Sequence, residues 1–577
     1  MNFSAPEAPI DLLVIGSGAG GLSAAVTAAH QGLKVLVLEK EKLFGGTTAW
    51  SGGWMWIPRN PLARAAGIEE DLSKPLSYLR HELGAQFDEA VARHYLQHAP
   101  QMVAFFQANT ALQFIDGNGM PDFHGRTPDA ALGGRSVCAA PMDGSKLGPQ
   151  LKRLKPPLYE TTLWGMGIAS GTDLRHFLNA MRSLPSFAYV TRRVLRHCWH
   201  LLTHQRGLHL VNGNALVAGL AASAFAKGVE IRTGTSAKRL LTQEGRVVGA
   251  VVQTGRGEQH IFARRGVVLA CGGFPHDAAR KQQLLAHAPT GQEHWSAAAW
   301  GNTGDGLRLA EGVGGQVATG LAQAAALAPV SLVPQKRGGF AHFAHLIERA
   351  KPGLMAVLPD GRRFVNEADS YCDFASAMLK ATPAGQLPQA WLVCDHAFIR
   401  HYGLGAVKPA PMPMGAWLRI GYLKTGRNLV ELAQACDIDA NALAQTAQRY
   451  NAMATVGKDD DFAKGETPYN RIQGDAAAGH LNPCMAALGR LGTLGGGPFY
   501  AVRVVTGSLG TFAGLHTNLN AQVLDGQNKA IPGLYAAGND MNSILRGHYP
   551  SGGITLGPAM TFGHLAALHA AGPTRPV

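Results

Sequence analysis

From Asp11 to Glu39 the chain reads DLLVIGSGAGGLSAAVTAAHQGLKVLVLE: an apolar run, glycines spaced Gly16-x-Gly18-x-x-Gly21, a helix of small residues, and a second apolar run ending in a carboxylate. Few folds accept that order. It predicts a parallel β-α-β unit shaped around a pyrophosphate. Gly16 permits the tight turn off the first strand, Gly18 lets backbone approach the ligand, and Gly21 lets the helix pack closely on the sheet. Ala19 and Gly20 open the helix, whose amino end points partial positive charge at the phosphates. Glu39 closes the second strand, where a carboxylate accepts from both ribose hydroxyls of an adenosine and repels a 2′-phosphate. A glycine-rich turn in any α/β protein would explain the glycines, but not strand, helix, second strand and acid together.

A second loop decides which dinucleotide. After Glu39 and Lys40 comes Gly45-Gly46-Thr47-Thr48-Ala49-Trp50-Ser51-Gly52-Gly53. A nicotinamide cofactor does not need such a loop. A flavin ring must lie along backbone, where Gly46, Gly52 and Gly53 avoid clash and the hydroxyls of Thr47, Thr48 and Ser51 reach phosphate and ring edge. The far end of the chain supplies a matching piece: a short strand running into Gly538 and Asn539, then Gly552-Gly553-Ile554-Thr555-Leu556 opening a helix. The amino end of that helix would face the flavin pyrimidine, which is anionic on reduction. Ala237 in a mid-chain hairpin, with Ala270 and Gly272 in the buried strand VVLACGG, completes the expected FAD set.

At 577 residues, 46% hydrophobic and 16% charged, the chain has material for two cores rather than for disorder. Its 72 glycines cluster in motif loops without a period, which excludes collagen-like and low-complexity readings. The net charge of +13 raises nucleic acid as a partner, yet no nucleic-acid motif occurs and the basic residues are dispersed. The exception is RRVLRHCWHLLTHQR, Arg192 to Arg206, which predicts a basic amphipathic helix; a solvated face is its expected role, and peripheral membrane contact the alternative. Seven cysteines without a Cys-x-x-Cys pair speak against disulfides and zinc, so no metal is expected. With neither a signal-peptide pattern nor a bilayer-long apolar run, the reducing cytoplasm is the expected compartment.

Between residues 60 and 110 apolar residues recur at spacings of three and four, the pattern of helices laid over a sheet. Residues 115–190 read as irregular. A small-residue helix over 213–228 feeds VEIRTGT, hairpins, and VVLACGG: an antiparallel insert rejoining a parallel sheet. From about 286 strands and helices mix, and Pro359-Asp360-Gly361 predicts a hairpin turn between apolar runs. The fold class is therefore α/β: a discontinuous Rossmann-like FAD-binding domain over 1–285 and 486–577, with an inserted α+β substrate (capping) domain over 286–485.

GGTTAWSGGWMWIPRNP, DGRRFVNEADSYCDF, PFYAVRVVTGSLGTFAGL and YPSGGITLGPAMTFG together resemble, in order and spacing, the 3-ketosteroid dehydrogenase branch of the flavoproteins that include fumarate reductase and succinate dehydrogenase. The resemblance covers nearly the whole chain. The dicarboxylate branch carries His-Thr-x-Gly-Gly and His-Gly-x-Asn-Arg segments whose cations clamp two carboxylates. Here Gly510–Gly514 and Gly547–Gly553 stand in their places with no cation at the Arg position, which implies an uncharged, apolar ketone substrate. The family's His-Ser attachment segment is also missing, so the FAD is expected to be non-covalent.

The resemblance implies desaturation beside a ring ketone, with an α-proton lost to a base and a β-hydrogen lost as hydride to flavin. By position, Tyr549 and the Gly553 N–H would hold the ketone oxygen, and Tyr371, after Arg-Phe-x-Asn-Glu, would take the proton. The 1-dehydrogenases add a Tyr from an early loop. Pro121-Asp122-Phe123-His124 lies there instead, leaving His124 as assistant or as a solvated loop residue. Tyr549-Pro550-Ser551 departs from the Tyr-x-Gly-Pro-Gly of the 1-dehydrogenases and is similar to the 4,5-desaturating branch, which would give Ser551 a part in proton abstraction and Tyr371 a supporting one. No second GxGxxG follows a later strand, so the electron acceptor is expected to be external: a quinone, a carrier protein or oxygen. Competing readings are a desaturase of smaller, cyclohexanone-type ketones, a reductase of activated alkenes, and a non-catalytic flavin-binding or membrane-docking protein.

Overall fold

A computed structural model describes residues 10–255, 257–489 and 496–572. The first apolar run forms the strand Ile10–Ile15, which lies between the parallel strands Val35–Glu39 and Gly257–Leu269. Glu230–Thr233 extends the sheet on one side and Ala530–Ala536 on the other, also parallel. Strands covered on both faces read as unbroken apolar runs, which is how LLVI, VLVL and VVL are spelled. The strand order turns about Ile10–Ile15, so a crevice opens at its carboxyl end.

The helix Ala19–His30 follows and packs on the C-terminal helix Leu556–Ala571. A Cβ on Gly563 would lie 2.3 Å from the Gly20 carbonyl oxygen, so the backbones meet at a distance that excludes any side chain. Ser23 Oγ donates to the Met560 carbonyl at 2.6 Å, and Thr27 Oγ1 bonds His564 Nδ1 at 2.9 Å, fixing the crossing. Opposite ends of the chain thus form one layer. The long strand Gly257–Leu269 joins two structures: its first half pairs antiparallel with the strand Arg246–Thr254, and its second half enters the parallel sheet. The expected helices form as Ser73–Leu83, Glu89–Asn109 and Asn212–Ala226. The stretch read as irregular also holds the helix Thr172–Leu178, and the basic helix runs from Leu184 to His204, starting ahead of Arg192.

A second sheet centres on Phe499–Thr511, with Ala325–Pro334 on one side and Gln389–Asp395 on the other. That strand lies in the segment expected to rejoin the nucleotide unit at 486. By hydrogen bonding the return comes after Thr511, because alternation along FYAVRVV announces a strand without naming its sheet. Residues 490–495 at the expected seam, like 1–9 and 573–577 at the ends of the expected FAD unit, lie outside the described residues.

The turn at 358–362 forms, with Gly361 at φ +79° and the Leu358 N–H donating to the Arg362 carbonyl at 3.0 Å, but no strand follows it. Buried charge takes over there. Arg363 pairs with Glu367 at 2.8 Å and with Asp459 at 2.8 Å, while Lys464 Nζ lies 3.3 Å from Glu367. Burial alone would raise the Glu367 carboxyl; Arg363 and Lys464 overcome it and hold the group at about 2. Its folded value is below the unfolded 4.5, so the stabilisation is present above 4.5 and fades as pH falls toward 2. Glu367→Gln removes the carboxylate beside Lys464 and leaves Arg363 with Asp459 alone, and should cost about 3 kcal/mol at pH 7. In urea melts the gap between variant and wild type should shrink as pH drops through that window; a gap independent of pH would exclude this account.

Candidate active site

The crevice at the strand ends is a cavity of about 1000 Å³. Every expected FAD contact except Gly21 lines it, and Gly21 has a different task. A Cβ at Gly21 would sit 2.0 Å from the Gly16 carbonyl, and one at Gly16, at φ +109°, would sit 2.0 Å from the Ala270 carbonyl. These two glycines are demanded by the protein's own packing. Gly18 is different: its missing side chain faces only Thr48 Oγ1 at 3.3 Å and otherwise the cavity, which leaves backbone open for a ligand. The helix that begins at Ala19 has no side-chain cap, and the Ala19 N–H donates to Thr48 Oγ1 at 3.0 Å. An uncapped helix start over a glycine cradle fits a dinucleotide pyrophosphate.

Glu39 is buried at the cavity wall and accepts from Ser17 Oγ and, at 2.9 Å, from the Glu41 N–H. Burial raises its carboxyl, with the Ser17 and Glu41 donors opposing. Ser17 escaped the sequence reading because it occupies a variable position of the glycine motif; its Oγ also accepts from the Gly45 N–H at 2.9 Å, tying the second loop to the first. Three expected contacts are occupied by protein. Lys40 pairs with Asp305 and donates to Thr303 at 2.7 Å, Thr47 Oγ1 accepts from the Ala299 N–H at 2.9 Å, and Ser51 Oγ donates to the Thr48 carbonyl at 2.8 Å. They shape the loop that borders the cavity. Gly46, Gly52 and Gly53 present backbone there.

The opposite wall comes from the other chain end. Asp540, fully buried, accepts from the Cys271 N–H and, at 2.9 Å, from the Gly273 N–H, joining the end of Gly257–Leu269 to the Gly538–Asn539 turn. Burial pushes its carboxyl up to about 6. Ala237, Ala270 and Gly272 line this side, and the C-terminal helix opens at Thr555 and Leu556 without a side-chain cap.

On the same cavity, Tyr371 starts the helix Tyr371–Ala381 while Tyr549 lies in the loop before the C-terminal helix. The Tyr371 hydroxyl donates to the Tyr549 hydroxyl at 2.7 Å. Phe123 stacks on Tyr549 at 5.8 Å and meets Tyr371 edge-on at 5.6 Å. Burial, reinforced by Tyr549, holds the Tyr371 phenol well above its ordinary range, and burial also raises Tyr549. Both phenols are neutral at physiological pH. Gly553 lines the cavity at φ +91°, where a Cβ would come 2.6 Å from Met55 Cα, so the close approach of its backbone requires glycine. Tyr469, which no motif announced, completes the aromatic wall 4.5 Å from Phe123.

Two expected residues are not brought to the cavity. His124 is clamped between Glu82 (2.5 Å) and Asp373 (2.9 Å). Burial alone would lower it, but those two carboxylates raise it to about 10, so it is an imidazolium without a free lone pair. It ties the Tyr371 helix to the helix Ser73–Leu83. Ser551 is buried off the cavity wall, and its Oγ has no hydrogen-bond partner among the described residues.

Comparison with known proteins agrees with this geometry. Residues 11–556 match the FAD binding domain family. The 3-oxosteroid 1-dehydrogenase of Mycolicibacterium smegmatis is 36% identical over 572 residues, 97% of this chain and 96% of that one. The 4-oxocyclohex-2-ene-1-carboxylate 5-dehydrogenase of Sinomonas cyclohexanicum is 34% identical over 556 residues, 96% of this chain and 92% of that one. The crystal structure of 3-ketosteroid delta1-dehydrogenase from Sterolibacterium denitrificans, in complex with 1,4-androstadiene-3,17-dione, gives a TM-score of 0.89 at 34% identity, covering 98% and 99% of the two chains. With a family match across nearly its full length and a glycine cradle that fits the cofactor, this chain belongs to the FAD binding domain family, on the branch it shares with the 3-oxosteroid dehydrogenases and, more distantly, a fumarate reductase.

Proposed function

We propose that this FAD-dependent dehydrogenase introduces a double bond beside the ketone of a 3-ketosteroid. The observation that carries the reading is the Tyr371–Tyr549 pair, 2.7 Å apart on the wall of the dinucleotide cavity beside Gly553. Two neutral phenols in hydrogen-bond contact form a relay. Tyr549 accepts from Tyr371, so its own proton is free to go to the ketone oxygen, which the Gly553 N–H also holds. Tyr371 gives its proton to Tyr549 and takes the α-hydrogen of the substrate in the same event. The substrate becomes an enol and no phenolate forms, which answers the difficulty of phenols whose ionisation burial opposes. FAD, when bound, supplies the acceptor for the β-hydrogen, which leaves with both electrons of its C–H bond, and as it leaves the enol oxygen releases its O–H proton to solvent by way of the Tyr549 hydroxyl, so that the neutral enone forms. Residues 510–514 and 547–553 provide no Arg or Lys, and burial lowers the one imidazole among them, His548, consistent with a neutral carbonyl.

The 1,2 position is favoured, because relatives at 34–36% identity are named for it, whereas the 3-ketosteroid-delta4-(5alpha)-dehydrogenase of Rhodococcus jostii RHA1, at 21% identity and a TM-score of 0.59, shares the fold alone. The position of Ser551 off the cavity supports the same choice. A second reading, a small ring ketone bearing a carboxylate, is favoured by Arg175 and Arg471, exposed at the cavity wall, and by the name of the Sinomonas relative. In either case the electrons leave to an external quinone, carrier protein or oxygen, and the FAD is held without a covalent bond.

Anaerobic titration of the yellow protein with androstenedione, a 5α-saturated ketosteroid, 4-oxocyclohexanecarboxylate and succinate separates these readings: androstenedione should bleach the flavin, and bleaching by succinate alone would overturn the proposal. Tyr371→Phe and Tyr549→Phe should each slow bleaching roughly 100- to 10,000-fold with the flavin spectrum intact. Because the two act as a unit, the double variant should be little worse than the worse single one. Acid precipitation should leave the flavin in the supernatant; colour retained in the pellet contradicts non-covalent binding. His124 is a positioning residue in this scheme. Its folded value is raised from 6.5 to about 10, so its clamp is complete below 6.5 and lost as pH rises through 10. His124→Gln should remove the alkaline decline in stability and lower kcat more than it raises KM; an unchanged alkaline limb would show that the clamp contributes nothing.

A further inference from the structure

Three tyrosines, not two, meet on Phe123. Its ring lies 5.6 Å from that of Tyr371, 5.8 Å from Tyr549 and 4.5 Å from Tyr469. Tyr469 lines the same cavity as the relay pair and is 3% exposed. A buried phenol ordinarily finds a partner for its hydroxyl. The Tyr469 hydroxyl has none among the described residues, although a phenylalanine there would make the same ring contact. Its place is fixed by its neighbours. Tyr469 stands in the first turn of the helix Pro468–Gln473, capped by Thr467, whose Oγ1 accepts from the Asn470 N–H at 3.2 Å. The Asn470 side chain ties that turn to the segment entering the Tyr371 helix: its Oδ1 accepts from Asn366 Nδ2 at 2.9 Å, and its Nδ2 donates to Asp369 Oδ1 at 2.9 Å.

On the ketone reading above, we propose that Tyr469 is a third catalytic hydroxyl, which donates to the Tyr371 oxygen as the substrate's α-hydrogen arrives there. In the relay that oxygen gives one proton to Tyr549 and receives another from carbon. Whenever the first transfer runs ahead of the second, negative charge gathers on an oxygen that burial, reinforced by Tyr549, leaves poorly able to carry it. A phenol oxygen that donates one hydrogen bond still has lone-pair room to accept another. A bond from Tyr469 spreads the charge while the Tyr469 proton stays on its own oxygen, so the balance of the reaction is unchanged. Tyr469 is near enough that charge on it is felt at both Tyr371 and Tyr549, although burial is the larger influence on each. What stands behind it makes it a good donor. Burial raises its phenol, but the Arg349 guanidinium pulls the other way, ahead of the opposing carboxylates Asp373 and Asp369. Arg349 is itself buried and held by the carbonyls of His345 at 2.9 Å and Glu367 at 2.7 Å. A fixed cation therefore polarises the Tyr469 O–H and reaches the relay through one hydroxyl. His124 is spent on Glu82 and Asp373, and Phe123 has no hydroxyl to offer.

The test isolates the proton step. Flavin-loaded enzyme is reduced with dithionite so that no hydride can leave, androstenedione is added in D2O, and loss of its C2 hydrogens is followed by NMR, with ketone affinity measured by calorimetry. Tyr469→Phe should keep the flavin, bind androstenedione within about twofold of wild type and slow C2 exchange roughly 10- to 100-fold. Exchange at the wild-type rate, or a loss of exchange matched by an equal loss of affinity, would overturn the proposal and leave the ketone reading standing. Wild type that neither exchanges nor bleaches would overturn the ketone reading and this role with it.

Discussion

The fold depends on one close approach, the meeting of Gly16 with Ala270 where two parallel strands end side by side. A Cβ at Gly16 would stand 2.0 Å from the Ala270 carbonyl, so the turn can form only against that neighbour, and the neighbour is held in turn by Asp540 from the far end of the chain. Gly21 then rests on Gly16, and Gly20 on the Gly538 turn. Three segments separated by hundreds of residues converge on a single rim, and the cavity is what remains between them. Burying Asp540 at that junction is costly, as its carboxyl near 6 shows, but the two amide donors it satisfies would otherwise be left unpaired at the ends of the strand.

The chemistry follows from the dryness of the same place. Burial disfavours ionised phenol, which supports the proposed use of Tyr371 and Tyr549 as a pair that passes hydrogen over that of an isolated base. Phe123 packs on both phenols and Tyr469 on Phe123, while the charged groups His124, Asp373 and Glu82 form a separate clamp. The segregation has a physical reason: an ionised neighbour beside the relay would bias where its proton rests.

Legibility in the sequence tracked the range of each interaction. The β-α-β unit, the second glycine loop and the C-terminal helix are local patterns, and the segments holding Gly16, Thr48, Gly538 and Leu556 all reach one cavity. Tyr371 and Tyr549 were named one by one through resemblance, but their mutual hydrogen bond spans 178 positions and leaves no local signal. Ser17 was hidden in a position the motif leaves free. Tyr469 follows an ordinary Thr-Pro helix start, and the strand Phe499–Thr511 has the same alternation in either sheet. His124 looked like a solvated loop residue because Glu82 and Asp373, which fix its charge, lie 42 and 249 positions away. The helix after Leu184 keeps Arg192 and Arg196 exposed, as expected of a solvated basic face, but turns Arg193 inward to Asp173 and leaves Leu195, Trp199 and Leu202 outside, which composition does not announce.

The hydroxyl contact between Tyr371 and Tyr549 joins a helix packed on one sheet to a loop of the other. It is an interlock. On the proposed reading, separating the helix from the loop would part the two oxygens and with them the route for hydrogen, so the relay is complete only while this contact holds.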